Sequence, residues 1–392
     1  MSLSVSRTSN RTRLAALVGG VGLVAATVVA APAVAATNDP LREQQWGLDQ
    51  IKAEEAWAST TGAGTVVAVV DSGVDLTHPD LKGNLVQGAT FSGCKKGQSP
   101  CGNGDWKGPD GEGNDLDEHG THVSGIVAAV TDNGIGVAGT APDAKVMPIK
   151  ALEEGSGAFE DIAAGITYAV DHGADVVNLS IGALPGVQAL TLTGLESSVT
   201  EAIAYANENG VLVVAAAGNE SFPVCSTPAF EDGALCVTAT DPNELPSWYS
   251  NGAIKPDIFA VAAPGGAGLF FCEDDVVSTV PLGTGSEACG ESDYDYYAGT
   301  SMATPHVAAV GALLFAQGRT LDNVKSALID TARTPGAGPG VYTTSYGHGI
   351  VDAAAAVAYE GATAPTTTSG NGKGNGKGSG SSSKSGKGPK AM

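Results

Sequence analysis

Five short, largely apolar runs recur along the 392-residue chain, and each is typical of a strand buried on both faces. Stretches with helical spacing lie between and after them, and this alternation favours one α/β domain built on a mainly parallel sheet. The predicted strands are Thr65 to Val70, Val146 to Lys150, Val176 to Leu179, Val211 to Ala216 and Ala234 to Ala239. The predicted helices are His122 to Val130, Phe159 to His172, Val199 to Asn209, Thr304 to Gln317 and Leu321 to Thr331.

Three polar residues stand at or just past the ends of these predicted strands. Asp71 follows the first run, Ser180 follows the third, and Asn219 comes shortly after the fourth. In open parallel sheets, sites form in the crevice beyond the carboxyl ends of the strands. The sequence therefore predicts a functional site at this edge of the sheet.

The segment from Gly299 to Val307, Gly-Thr-Ser-Met-Ala-Thr-Pro-His-Val, brings Ser301 to the start of an apolar helix. The unpaired backbone amides and the helix dipole at such a terminus favour developing negative charge. A serine in this place could also be an ordinary helix cap. Its meaning depends on the partners that the rest of the chain supplies.

Two upstream segments supply the partners that a nucleophilic serine needs. Asp71 lies within Val-Val-Asp-Ser-Gly-Val, and His119 opens the sequence His-Gly-Thr-His-Val-Ser-Gly. A neutral hydroxyl is a poor nucleophile, so it needs a base beside it and a group that orients the base. Ser301 would attack, His119 would take and return the proton, and Asp71 would hold His119 in the productive tautomer.

The order of Asp71, His119 and Ser301, with these flanking sequences, resembles the subtilase family, in particular its secreted subtilisin- and thermitase-like serine endopeptidases. The resemblance extends from about Asn38 to Val357. It implies a three-layer α/β/α fold around a mainly parallel sheet. It also implies hydrolysis of peptide bonds through an acyl-enzyme intermediate.

The resemblance assigns further site residues. Asn219 would donate its side-chain amide to the oxyanion, alongside the backbone N–H of Ser301. The substrate strand would lie against Ser180-Ile181-Gly182, and Ala216-Ala217-Gly218 would form a wall of the pocket for the residue before the cut. We expect this pocket to tolerate large apolar residues, with Glu220 modestly favouring Lys or Arg at its rim.

Members of the family bind structural calcium, which requires hard oxygen ligands. The matching positions here are Asp39, Asp80 and Asn133. The alternative is that these are only turn residues. The chain contains no His-Glu-x-x-His metalloprotease motif, and we expect no organic cofactor.

The six cysteines indicate an oxidising compartment. Six cysteines allow 15 pairings, but these lie in three close pairs along the chain. Local pairing is therefore the prediction, closing small surface loops. The expected disulfides are Cys94 with Cys101, Cys225 with Cys236, and Cys272 with Cys289.

The two ends of the chain differ from the body between them. Residues 1–36 combine a basic start, an apolar run and a small-residue cleavage site, which predicts a secretory signal peptide, with an uncleaved membrane anchor as the alternative. Residues 362–392 are rich in Gly, Ser and Lys, which predicts a disordered tail. The tail could be a solubilising extension or could contact an anionic cell wall. The peptidase domain would then span residues 37–361.

Charge is distributed unevenly along the chain. Of its 20 Lys and Arg residues, three lie in the first 36 positions and five lie beyond Gly361, whereas all 42 acidic residues lie between these ends. The body therefore carries a net charge of −30. Such a surface argues against nucleic acid or an anionic membrane as a partner and leaves polypeptide substrates as the expected ones. A monomer is the default expectation.

The leading hypothesis is an active, secreted serine endopeptidase. One alternative is a processing protease with narrow specificity, and another is an inactive subtilase-like body that serves as a binding module. An esterase is disfavoured, because no Gly-x-Ser-x-Gly sequence surrounds Ser301.

Overall fold

The computed structural model describes residues 37–114, 116–183, 187 and 197–361. The signal predicted over residues 1–36 and the tail predicted over residues 362–392 lie outside the described residues, so both stay predictions. Within the described part of the chain, no helix combines the length and the apolar character needed to cross a membrane.

Seven strands form one sheet at the centre of the described body, and all its paired strands run parallel. The strands are β1 (Val66–Asp71), β2 (Ala89–Thr90), β3 (Lys145–Lys150), β4 (Val176–Leu179), β5 (Leu212–Ala216), β6 (Ala234–Thr240) and β7 (Ala260–Pro264). Their order across the sheet is β2-β3-β1-β4-β5-β6-β7. All five predicted strands are present, and the mainly parallel sheet is confirmed.

Each face of the sheet has its own apolar core, because successive side chains of a strand point to opposite faces. In β1, Val67 and Val69 pack into one core, whereas Ala68 and Val70 pack into the other. The eight described α-helices are α1 (Trp46–Gln50), α2 (Ala53–Trp57), α3 (His119–Ala128), α4 (Phe159–Asp171), α5 (Ser198–Glu208), α6 (Thr300–Ala316), α7 (Leu321–Asp330) and α8 (Ala353–Ala358). Helices α3 and α6 cover the first face, and α4 and α5 cover the second.

Two predicted helices begin about one turn earlier than expected. The helix predicted from His122 begins at His119, and the helix predicted from Thr304 begins at Thr300. Glycine has low helix propensity, yet Gly120 is needed in α3, because a β-carbon there would collide with the backbone oxygen of Gly73. Close packing against the end of β1 therefore decides where α3 starts.

The described elements that the sequence did not predict are short or rich in alanine. Strand β7 is one of them, and its pairing with β6 fixes it as a strand despite its small side chains. The others are α1, α2, α8, the two-residue strand β2, and the antiparallel pairs β8 (Val276–Thr279) with β9 (Tyr294–Tyr297) and β10 (Arg333–Thr334) with β11 (Gly338–Pro339). Tertiary pairing stabilises such segments more than local propensity does.

All three predicted disulfides are confirmed, and they leave no cysteine free. They join Cys94 to Cys101, Cys225 to Cys236, and Cys272 to Cys289. In the loop-entropy model, each loop of this length contributes about 2–3 kcal/mol to the free energy of unfolding.

Lys150 is fully buried at the end of β3, opposite Asp71 in the strand register. Its Nζ donates to the backbone oxygen of Ser72 at 2.9 Å and lies 3.4 Å from Oδ1 of Asp117, which is also fully buried. Its second carboxylate partner is Glu153, at 3.4 Å. Lys150 thus compensates a buried carboxylate two residues before His119.

Replacing Lys150 with methionine should lower the free energy of unfolding by about 3–5 kcal/mol, because Asp117 is then left buried without its cation. Urea denaturation measures the loss. The matched control is Lys145→Met at the other end of β3, where Nζ bonds Gly83 and Asn84 close to solvent; its effect should stay below about 1 kcal/mol. Equal losses in the two variants would contradict the role given to Lys150.

Candidate active site

Asp71 and His119 form a hydrogen-bonded pair at the carboxyl edge of the sheet. Asp71 is the last residue of β1 and is fully buried, and His119 is the first residue of α3. Nδ1 of His119 lies 2.8 Å from Oδ1 of Asp71, which also accepts the backbone N–H of Ser72 at 2.7 Å. Since a carboxylate only accepts, Nδ1 carries the proton, and in the neutral ring Nε2 keeps a free lone pair.

The environment of His119 sets the pKa of its imidazole. Burial lowers this pKa, but the charge of Asp71 and its hydrogen bond raise it, and the net result lies above the usual 6.5. His122 and His306 are buried as well, and among the described contacts neither bonds a carboxylate: burial lowers the pKa of His122 to about 3 and that of His306 to about 4. They bond backbone oxygens of Asp295 and Met302, so they have structural roles.

Ser301 is the second residue of α6, and Ser180 holds it through two hydrogen bonds. Pro305 has no N–H to give to the backbone oxygen of Ser301, and that oxygen accepts from Oγ of Ser180 at 2.8 Å instead. Oγ of Ser301 donates in turn to the backbone oxygen of Ser180 at 3.0 Å. Within the described part of the chain, this hydroxyl bonds Ser180 and not His119, so proton transfer to His119 would require it to give up that bond.

Asn219 and the start of α6 place two N–H donors side by side. Oδ1 of Asn219 accepts the backbone N–H and the hydroxyl of Thr300, each at 2.9 Å, which leaves the Nδ2 end of the amide on the other side. A β-carbon at Gly299 would lie 3.5 Å from that Nδ2 and 3.6 Å from the backbone nitrogen of Ser301. Glycine at this position therefore keeps open the space that both donors border.

A cleft of about 760 Å³ borders this constellation. Asp71, His119 and Ser180 line one side of it, with Ile181 and Gly182 continuing along the same segment. Its remaining wall is mostly apolar and includes Leu116, Leu152, Ile162 and Tyr297. Such a lining fits apolar side chains of an extended ligand.

The predicted pocket wall Ala216-Ala217-Gly218 follows from β5, and both alanines are buried. The segment after Cys225 contacts both this wall and the Ser180-Ile181-Gly182 segment. The N–H of Ser226 donates to the backbone oxygen of Ala217, and the N–H of Ala183 donates to the backbone oxygen of Thr227, each at 2.8 Å. The structure therefore brings the two predicted walls to the same place.

Comparison with known proteins agrees with this geometry. A sequence model of the subtilase family matches residues 62–354. The chain is 38% identical to thermitase of Thermoactinomyces vulgaris over 324 residues, which are 82% of this chain and 99% of thermitase. It is 37% identical to subtilisin BL of Lederbergia lenta over 79% of this chain and 97% of that protein. A solved protease structure from Pseudoalteromonas arctica has a TM-score of 0.66 at 34% identity, over 83% of this chain and 99% of its own.

The chain belongs to the subtilase family. It is a subtilisin-like serine endopeptidase with the three-layer α/β/α fold of that family. The resemblance inferred from the sequence is thus confirmed for the family, the fold and the class of enzyme.

Asn251 is a site residue of this subtilase that sequence reasoning missed. Its side chain is buried, and Oδ1 accepts the backbone N–H groups of Glu220 and Phe222 at 3.0 and 2.8 Å. Nδ2 donates to the backbone oxygen of Ala217 at 3.0 Å and to the carboxylate of Glu220 at 2.7 Å. Asn251 thus fixes the loop that presents Asn219. In the sequence, Ser-Asn-Gly at this place indicates only a turn.

The three residues predicted to bind calcium also come together. Asp39 accepts the backbone N–H groups of Asp132 and Asn133 at 2.9 and 3.1 Å, and Asp80 accepts Nδ2 of Asn133 at 2.6 Å. Both carboxylates are buried. Burial raises the pKa of Asp80 to about 6, and the charge of nearby Asp39 adds to that rise.

Two buried carboxylates suit a hard cation, but Asn133 directs its Nδ2 to Asp80, and its Oδ1 accepts the backbone N–H of Ile135. Among the described ion pairs, none joins a lysine or arginine to Asp39 or Asp80. Nor do the described residues include any group of three or more His, Cys, Asp or Glu side chains placed to hold a metal. An ion here would therefore need the amide oxygen of Asn133 and backbone oxygens beside the two carboxylates.

The pKa of His119 should lie above 6.5 and should fall when Asp71 is replaced by asparagine. The carboxylate of Asp71 raises this pKa because it stabilises the imidazolium. Without that carboxylate, burial of the ring is the main remaining influence, and burial lowers the pKa. NMR titration of the imidazoles in a Ser301→Ala background, which prevents self-digestion, measures both values. His122 and His306 are internal controls that should stay neutral between pH 5 and 9. An unchanged His119 titration in Asp71→Asn would contradict the assignment.

Proposed function

We propose that this subtilase cleaves peptide bonds within secreted or extracellular polypeptides, with Ser301 as nucleophile, His119 as general base and Asp71 as its orienting carboxylate. The observation that carries the proposal is the 2.8 Å bond between His119 and buried Asp71, in the lining of a cleft that also includes Ser180, the residue that bonds Ser301. A relative named extracellular protease, from Xanthomonas campestris, supports the location outside the cell.

The reaction begins when the hydroxyl of Ser301 turns from Ser180 towards Nε2 of neutral His119. Oγ adds to the substrate carbonyl carbon while its proton passes to Nε2. Collapse of the tetrahedral intermediate expels the amine, which takes that proton, and leaves an acyl ester on Ser301. Water then attacks the ester by the same route and releases the acid. Asp71 stabilises the imidazolium that forms in each half-reaction.

The developing oxyanion is stabilised by Nδ2 of Asn219 and the backbone N–H of Ser301. Both donors border the open space beside Gly299, and the bonds from Thr300 hold the Asn219 amide in place before the reaction. Donors fixed in advance stabilise the transition state without a cost of reorientation.

The substrate would lie as an extended strand against Ser180-Ile181-Gly182, with the side chain before the cut directed to Ala216-Ala217-Gly218. Two small alanines and a glycine leave room for a large apolar side chain. The carboxylate of Glu220 bonds Asn251 and borders this pocket, which supports a secondary preference for Lys or Arg.

Ser301→Ala should lower kcat by about 10⁶, because the nucleophile is lost, and Asn219→Ala should lower it by about 10²–10³, because one oxyanion donor is lost. Casein digestion and labelling by a serine-directed phosphonate are the measurements. Ser156→Ala is the matched control, since Ser156 lines the same cleft without a side-chain bond to these residues.

The outcome also separates the alternative functions. Casein loss that the phosphonate and Ser301→Ala both abolish supports broad proteolysis. Labelling of Ser301 without casein loss supports a processing protease with narrow specificity. If the phosphonate does not label Ser301 and casein is not digested, the proposal is contradicted and a binding module is favoured.

We further propose that Asp39, Asp80 and Asn133 hold a structural calcium ion. The ion would supply the positive charge that two neighbouring buried carboxylates otherwise lack among the described residues. It would tie the segment around Asp39 to the turn around Asn133 and so stabilise the folded state.

Removal of calcium with a chelator should lower Tm by roughly 5–10 °C, the loss expected when calcium was present at about 100 times its Kd. Differential scanning calorimetry measures Tm with and without the chelator. Asp80→Asn should make Tm insensitive to the chelator, whereas Asp110→Asn, in the exposed acidic loop before His119, should keep the full response. An unchanged Tm in the unsubstituted protein would refute the calcium site.

A further inference from the structure

Four large apolar side chains stand exposed in one surface region, which we call the apolar rim. Leu269, Phe270 and Phe271 are consecutive and are 63%, 90% and 61% exposed, and Trp248 is 64% exposed. Nε1 of Trp248 donates to the backbone oxygen of Gly268 at 3.3 Å, which joins the two segments. A group of exposed apolar side chains indicates a binding site, whereas single exposed apolar residues are common on protein surfaces.

The apolar rim begins beside the reaction centre. The backbone N–H of Gly299 bonds the oxygen of Gly265 at 2.9 Å. A β-carbon at Gly268 would lie 3.4 Å from that of Ala298, which is exposed three residues before Ser301. The backbone that carries the rim is therefore packed directly against the segment that carries the nucleophile.

The loop that carries the rim is held in shape by its own backbone contacts. The N–H of Ala267 bonds the oxygen of Asp274 at 3.0 Å, and the N–H of Gly268 bonds the carboxylate of Asp275 at 2.7 Å. The disulfide from Cys272 to Cys289 anchors the far side of the loop. The exposed aromatic rings thus lie on a preorganised support, so less conformational entropy is lost when a ligand binds them.

The position of the rim relative to the cleft identifies its ligand. The cleft along Ser180-Ile181-Gly182 accommodates the substrate up to the scissile bond, and its described lining includes no residue of the rim. A polypeptide that is cut internally continues beyond the scissile bond. Ser301 bonds Ser180 of the cleft on one side, and the segment just before Ser301 contacts the loop of the rim on the other. A chain whose scissile bond lies at Ser301 would therefore meet the rim where it leaves the cleft.

We propose that the apolar rim binds large apolar side chains of the substrate on the leaving-group side of the scissile bond. This inference rests on the proposed function and adds to it a preference for the residues that follow the cut. Two aromatic rings, one leucine and one indole offer a contact surface for Leu, Phe or similar side chains.

The test compares two internally quenched peptides with the same residues before the cut. One carries Leu-Phe at the second and third positions after the cut, and the other carries Ser-Gly. For the unsubstituted enzyme, kcat/KM should be roughly five- to tenfold higher for the Leu-Phe peptide than for the Ser-Gly peptide. The single variant Phe270→Ser, and separately the double variant Leu269→Ser with Phe271→Ser, should reduce the ratio of the two kcat/KM values to between about 1 and 2. Val341→Ser, an exposed apolar residue elsewhere, is the matched control and should keep the ratio.

Two further measurements separate the possible outcomes. A chromogenic anilide, which has no residue after the scissile bond, reports the proposed chemistry alone. If the anilide is not hydrolysed, the proposed function fails, and calorimetric binding of the two peptides to Ser301→Ala still tests the rim. An unchanged ratio in both rim variants would overturn the inference. So would a concentration-dependent dimer that Phe270→Ser abolishes in sedimentation velocity, since the rim would then join two copies of the chain.

Discussion

The buried carboxylate of Asp71 is the constraint on which the rest of the site depends. A charge with no exposure to water at the end of a central strand must be compensated by hydrogen bonds and partners. Ser72 supplies its backbone N–H, and His119 supplies the imidazole. The hydroxyl of Ser72 also accepts a hydrogen bond from the N–H of Gly120 at 3.0 Å, and the backbone oxygen of Ser72 accepts one from Nζ of Lys150. The same few contacts therefore fix the strand end, the start of α3 and the orientation of the histidine.

Ser301, the proposed nucleophile, is positioned by a second, independent set of contacts. Pro305 has no N–H, so one helical hydrogen bond of α6 is missing at the backbone oxygen of Ser301. The hydroxyl of Ser180, just after β4, donates to that oxygen instead. The amide of Asn219 is held by Thr300, and the loop of Asn219 is held by Asn251. These contacts join four segments that are distant in sequence. Because each is a short-range hydrogen bond between ordered elements, the proposed oxyanion space beside Gly299 would be formed before any substrate arrives.

Much of the fold was predictable, because strands buried on both faces need continuous apolar runs. The run before Asp71 is one such case, and all five predicted strands are present. Strand β7 was missed, since Ala260–Pro264 has weak strand propensity and depends on its pairing with β6. The start of α3 was placed late, since Gly120 and its polar neighbours have low helix propensity until packing against β1 is considered.

The family, the sheet and the residues of the proposed chemistry were predictable from the amino-acid sequence, because apolar periodicity and the flanks of Asp71, His119 and Ser301 are local properties of the chain. Three-dimensional packing was needed to show that Asn251 supports the loop of Asn219 and that Lys150 compensates Asp117. It also shows that the loop carrying Phe270 and Phe271 packs against the segment just before Ser301. These relations join residues far apart in the chain, and their geometry follows from how the layers pack, which no local pattern specifies.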